Sequence, residues 1–82
     1  MKWFLYVLQC SDGTYYTGVT TDMKRRLNEH NTSKRGAKYT KTRRPVKLVY
    51  LSEYESRSSA QKAEYKFKQL TRKQKEAIIN ER

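Results

Sequence analysis

At 82 residues the chain has room for one domain, and its core must be small, because a domain of that size buries only roughly 60% of its unfolded surface; an aromatic content of 12% still argues against disorder. Nineteen Lys and Arg against eight Asp and Glu leave a formal net charge of +11, a field that draws in polyanions and makes nucleic acid the expected partner, with no small-molecule cofactor implied. A membrane surface would call for a basic amphipathic helix with a broad apolar face, which the sequence lacks, and a single cysteine with a single histidine excludes both an intrachain disulfide and a Cys/His zinc cluster.

The apolar start, Met1 to Leu8, is too short for a signal segment or a membrane span and no cleavage site follows it, so a cytoplasmic location is expected. Residues 3–10 (WFLYVLQC) form a continuous apolar, β-prone run that predicts a strand buried on both faces, hence a central one. Ser11-Asp12-Gly13-Thr14 signals a hairpin turn, and 15–20 (YYTGVT) a second strand, with Gly18 marking a bulge or a close backbone approach. Asp22 is a good N-cap, and Met23, Leu27 and His30 recur at helical spacing, predicting a helix over about 22–31.

Residues 32–45 carry six positive charges, no acid, Gly36 and Pro45, and read as a long loop. Residues 46–54 (VKLVYLSEY) predict a third strand. Ser58 with Gln61 fits a capping box that opens a helix with the stripe Ala60, Ala63, Phe67 and Leu70, and Thr71 with Gln74 fits a second box that opens a last helix. The order β-β-α-β-α-α predicts an α+β fold: a three-stranded, mainly antiparallel sheet flanked by helices, in one domain over 1–82.

Candidate chemistry falls on five residues. Tyr6 and Tyr16 lie on the two hairpin strands. A two-residue turn would put their rings on opposite faces, whereas a three-residue loop, or a bulge near Gly18, would bring them together. Arg26 and His30 are four apart and share a helix face, where an Arg can grip a phosphate and an imidazole can hydrogen-bond or shuttle a proton. Arg25 is the rival for Arg26, and strand tyrosines and a helix-end histidine also have plain structural uses. Glu64 adjoins the apolar stripe of its helix among Lys62, Lys66 and Lys68; it could hold Mg²⁺ against a phosphate, or simply pair with Lys68. The segment from Lys34 to Lys47 holds seven positive charges in fourteen residues. Lys34, Arg35, Lys38, Lys41, Arg43 and Arg44, with Arg25, are candidates for the phosphate backbone, and Tyr39 for stacking on a base.

Taken together these pieces resemble the GIY-YIG nuclease family. Leu5-Tyr6-Val7 matches the first motif in a variant form, Tyr16-Thr17-Gly18 matches the second about ten residues on, Arg26 and His30 match the family's helix pair, and Glu64 matches its metal-binding Glu. The resemblance is greatest to small stand-alone bacterial members, which also carry a segment like Gly36 to Val46. It implies hydrolysis of a DNA phosphodiester with one divalent cation, Mg²⁺ or Mn²⁺, in repair or recombination. By that resemblance Glu64 binds the metal, Tyr6 or Tyr16 helps deprotonate the attacking water, Arg26 stabilises charge on the phosphate and His30 orients a phenol or the phosphate. A free phenol titrates near 10, so the acting tyrosine needs a cation beside it; the metal and Arg26 are the expected sources. Cleavage would be structure-selective or non-specific. The alternative is a non-catalytic nucleic-acid-binding module that uses the same basic groove.

Overall fold

A computed structural model describes residues 1–81. Its elements are β1 (Trp3–Gln9), β2 (Tyr15–Thr20), α1 (Met23–Thr32), α2 (Lys38–Lys41), β3 (Lys47–Tyr54), α3 (Arg57–Lys68) and α4 (Arg72–Asn80). The strands form one antiparallel sheet in the order β2-β1-β3, so the apolar run 3–10 takes the central position its composition predicts, with Leu5, Tyr6, Val7 and Leu8 all buried. Each face of β1 feeds a different layer. Tyr6, Leu8 and Cys10 cluster with Val46, and Met23 and Leu27 of α1 pack against them with Leu48 and Leu51. On the opposite face Leu5, Tyr50 and Tyr54 meet Ala63, Phe67, Leu70 and Ile78 of the α3–α4 layer, with the Tyr50 and Phe67 rings stacked at 6.1 Å.

The hairpin turn decides which side chains share a face. Gly13 adopts φ +85°, its N–H donates to the Cys10 carbonyl at 2.9 Å, and the Cys10 N–H donates to the Thr14 carbonyl at 2.8 Å. This is a three-residue loop closed by a left-handed glycine, and it pairs Tyr6 with Gly18 and Leu8 with Tyr16. Tyr6 and Tyr16 therefore lie on one face. The second irregularity is in β3, where Val7 opposes Tyr50 but Leu8 opposes Leu48, leaving Val49 as an extra residue.

Asp22 caps α1 as expected, its carboxylate accepting the Arg25 N–H at 3.1 Å, and the Thr71–Gln74 box forms in both directions at the start of α4. The Ser58–Gln61 box does not form. Ser56 is the extended residue ahead of α3, its hydroxyl accepting the Ser59 N–H at 3.1 Å, so Ser58 already lies inside the helix. The segment 32–45 also differs from a plain loop, for it contains the single turn α2 and buries Thr40 completely. Gly36 lies so close to α1 that a Cβ there would stand 2.6 Å from the Glu29 carbonyl oxygen and 2.9 Å from His30 Cα, contacts only a glycine escapes. No helix among the described residues is long and apolar enough to cross a membrane.

Candidate active site

Four of the five predicted side chains meet at the edge strand β2. The Tyr6 ring lies across Gly18, where a Cβ would overlap the phenol oxygen and stand 2.6 Å from Cζ; the glycine of the second hairpin strand is thus the space the tyrosine occupies. Tyr6 Oη and His30 Nε2 are 2.9 Å apart. The Tyr6 and Tyr16 ring centroids are separated by 6.4 Å, and those of Tyr16 and His30 by 5.2 Å. Tyr6 and His30 are buried, 1% and 0% exposed, whereas Tyr16 is half-buried and reaches solvent.

Between the two arginines, Arg26 is the one that turns inward. Its Nη1 donates to Glu29 Oε1 at 3.0 Å and to the Arg35 carbonyl at 2.9 Å, and its guanidinium is close enough for its charge to act on the Tyr6 phenol. Arg25 is mostly exposed, with its Nε 4.0 Å from Glu29 Oε2. Glu29 is a residue that sequence reading passed over, although its place three residues after Arg26 on the same helix face was a usable signal.

Burial dominates the protonation of the cluster. It pushes the Tyr6 phenol up to about 12, against the opposing pull of Arg26 and with help from the Tyr16 and Glu64 charges. Of the two expected sources of a lowered phenol, Arg26 alone does not outweigh desolvation at Tyr6. Burial, and then the Arg26 charge, bring His30 down to about 4, so the imidazole is neutral at neutral pH.

Glu64 approaches from α3, which packs on β2 from the other face of the sheet. It is near enough for its charge to act on Tyr6, and Lys68 Nζ lies 3.4 Å from its Oε2. Among the described residues no three His, Cys, Asp or Glu side chains gather as a ready metal cage. One half-buried carboxylate suits a hard dication that keeps its waters and takes its other ligands from a substrate phosphate; it does not suit a structural zinc. Glu29 is already committed to Arg26.

The basic segment divides into two kinds of cation. Lys34, Arg35, Lys38 and Lys41 are exposed. Arg44 serves the structure: its Nε donates to the His30 carbonyl at 2.5 Å, and its Nη2 to the carbonyls of Ser33 at 2.6 Å and Glu29 at 3.3 Å. It caps the C-terminus of α1, so the fold itself engages its donors. Arg43 ties the segment to the hairpin turn through Asp12 Oδ2 at 3.0 Å and sits 3.9 Å over the Tyr39 ring. Tyr39 also stacks on Tyr16 at 6.0 Å, so much of the surface expected to receive a base already has protein against it. Beside this stack Tyr15, Tyr16, Thr17, Tyr39, Lys68 and Lys75 line a groove of about 200 Å³. A larger concavity, about 570 Å³, runs along the outer side of α1 by Lys24 and Asn28 and holds none of the clustered groups.

Comparison with known proteins agrees with this geometry. The family model of the GIY-YIG catalytic domain matches residues 2–77. A UPF0213 protein of Streptococcus agalactiae is 58% identical over 78 residues, covering 95% of this chain and 88% of its own. A UPF0213 protein of Desulfotalea psychrophila is 52% identical over 77 residues, covering 94% and 70%. The solution structure of a protein from E. faecalis superposes with a TM-score of 0.67 at 50% identity, over 98% of this chain and 84% of that one. The chain belongs to the GIY-YIG family of nucleases, among its small UPF0213 members.

Proposed function

We propose that the protein is a divalent-metal-dependent endonuclease that hydrolyses DNA phosphodiesters. One observation carries the reading: an acid, Glu64, lies close enough for its charge to act on Tyr6 in a molecule of net charge +11. A module that merely bound phosphate would gain nothing from a carboxylate there, since it repels the ligand unless a cation lies between. Glu64 would hold that cation, and Mg²⁺ or Mn²⁺ bound there would supply charge stabilisation at the reacting phosphate.

The remaining work falls to the chain's own groups. Tyr6 is the phenol with an outlet for its proton, because His30 Nε2 is within hydrogen-bond distance. A water proton can pass to the phenol oxygen as the phenol proton passes to His30, so no free phenolate is needed from a group that titrates at about 12. Arg26, held by Glu29 and the Arg35 carbonyl, keeps a fixed cation for the phosphate oxygens. Tyr16 walls the cluster on its solvent side, and Lys68 and Lys75 line the groove along which a backbone can run.

Cleavage of labelled duplex, branched and single-stranded DNA with Mg²⁺ or Mn²⁺, and with chelator, tests the reading. Metal-dependent cutting is expected on at least one substrate; none on any would leave a binding module. A second expectation separates the cations of the basic segment. Arg44→Met should cost roughly 1.5–3 kcal/mol of stability, as hydrogen bonds to a charged group do, and leave the salt dependence of DNA binding unchanged. Lys38→Ala and Lys41→Ala should leave stability within about 0.5 kcal/mol and flatten that salt dependence by up to roughly 0.9 for each phosphate no longer neutralised. Denaturant melts and binding titrations at several salt concentrations check both.

A further inference from the structure

Thr40 is fully buried and is not among the five candidate catalytic residues, yet its hydroxyl lies 2.9 Å from His30 Nδ1 and 2.9 Å from the Ala37 carbonyl oxygen. The Ala37 N–H also approaches Nδ1, at 3.3 Å. These contacts cannot all be hydrogen bonds at once, because Nδ1 either carries a proton or accepts one. The positions of the donors choose between the two arrangements.

The Tyr6 hydroxyl is buried and its proton needs an acceptor. Its polar neighbours are Arg26, which only donates, and His30 Nε2 at 2.9 Å. Nε2 must therefore be the bare nitrogen, which places the imidazole proton on Nδ1. Nδ1–H then donates to Thr40 Oγ1, and the Thr40 hydroxyl donates to the Ala37 carbonyl, in an unbroken chain with every link at 2.9 Å. The arrangement gives up only the 3.3 Å approach of the Ala37 N–H. The opposite tautomer would strand the Tyr6 proton and leave one of the two 2.9 Å contacts of the Thr40 hydroxyl with no proton between its atoms.

We propose that Thr40 is a positioning residue that holds His30 in its Nδ1–H tautomer, so that Nε2 is always available to receive the Tyr6 proton. The catalytic consequence rests on the nuclease reading above; the tautomer does not. His30 is the only histidine, so ¹⁵N–¹³C correlation spectra of its ring assign the tautomer without ambiguity and with no nucleic acid or metal present. The parent should show the proton on Nδ1. Thr40→Ser should keep it there, and Thr40→Val, checked for folding by its melting curve, should lose the preference. A parent ring protonated on Nε2, or a folded Thr40→Val with the parent's tautomer, overturns the proposal. If Thr40→Val does not fold, the parent spectrum alone decides. In cleavage assays Thr40→Val should lower kcat by roughly 10–100-fold, the usual cost of losing a partner that orients a functional histidine, with KM unchanged and activity rescued in Thr40→Ser. A parent that cuts nothing but shows the Nδ1–H ring would refute the nuclease reading and leave the tautomer assignment standing.

Discussion

Glu64→Gln should lower metal-dependent cleavage by roughly a hundred- to a thousandfold while DNA binding is retained or slightly tightened. A bound dication is worth several kcal/mol of charge stabilisation, and each 1.36 kcal/mol is about tenfold in rate. An amide keeps the shape of the carboxylate but loses most of its hold on a hard cation. Folding should hardly respond, because the partner given up is Lys68 in an i,i+4 pair, an interaction worth roughly 0.3–0.5 kcal/mol when exposed. Cleavage rates and fluorescence-anisotropy binding measured on the same preparations, with melting curves, separate the possibilities. Equal cutting by the variant, or a loss of binding that parallels the loss of cutting, would remove Glu64 from the role of metal ligand.

Stability should fall between pH 6.5 and about 4, beginning well above the range where carboxylates titrate. His30 has an ordinary value of 6.5, and burial brings it to about 4 in the folded chain. Below 6.5 the unfolded chain takes up a proton that the folded one refuses, so the unfolded state gains as pH falls, and the loss levels off near 4. At 1.36 kcal/mol per pH unit the window corresponds to about 3 kcal/mol, a large share of the roughly 4–12 kcal/mol expected for a domain of this size. Asp12 and Glu55 are held below their ordinary values of 3.8 and 4.5 by hydrogen bonds to Thr14 and Lys2, so their contributions begin to be lost only as pH falls through those values, near the bottom of the window. Urea midpoints at several pH values, in the parent and in His30→Gln, check this: the parent should weaken across the window and the variant should not. A parent midpoint flat from pH 7 to 4.5 would mean that the imidazole can be charged in place.

Much of the fold could be read from local chemistry. The run 3–10 could hardly be anything but a central strand, and Asp22 and the Thr71–Gln74 pair marked their helix starts because caps act over three residues. Ser58 reads as the cap of α3 because it carries the same hydroxyl as Ser56, the actual cap two residues earlier. The face shared by Tyr6 and Tyr16 turned on one residue in the hairpin loop, since a single-residue slip reverses every side chain on a strand; the sequence posed that choice and the left-handed Gly13 decides it. Thr40 gave no local signal, for its partner stands ten residues away on α1 and the four-residue α2 is too short for a periodic pattern. Arg44 looked like its basic neighbours because composition records charge and not direction.

The segment after α1 is fastened at both ends. Arg44 holds the Ser33 carbonyl, and Asn31 and Val46 exchange two hydrogen bonds, at 2.7 and 3.0 Å. Between these fastenings stand Lys34, Arg35, Lys38 and Lys41. A disordered basic tail gives up backbone freedom each time it settles on a phosphate chain, at roughly 1–2 kcal/mol per residue fixed. Here that freedom is given up once, on folding, so the attraction between the lysines and a polyanion is available at first encounter with little left to be ordered.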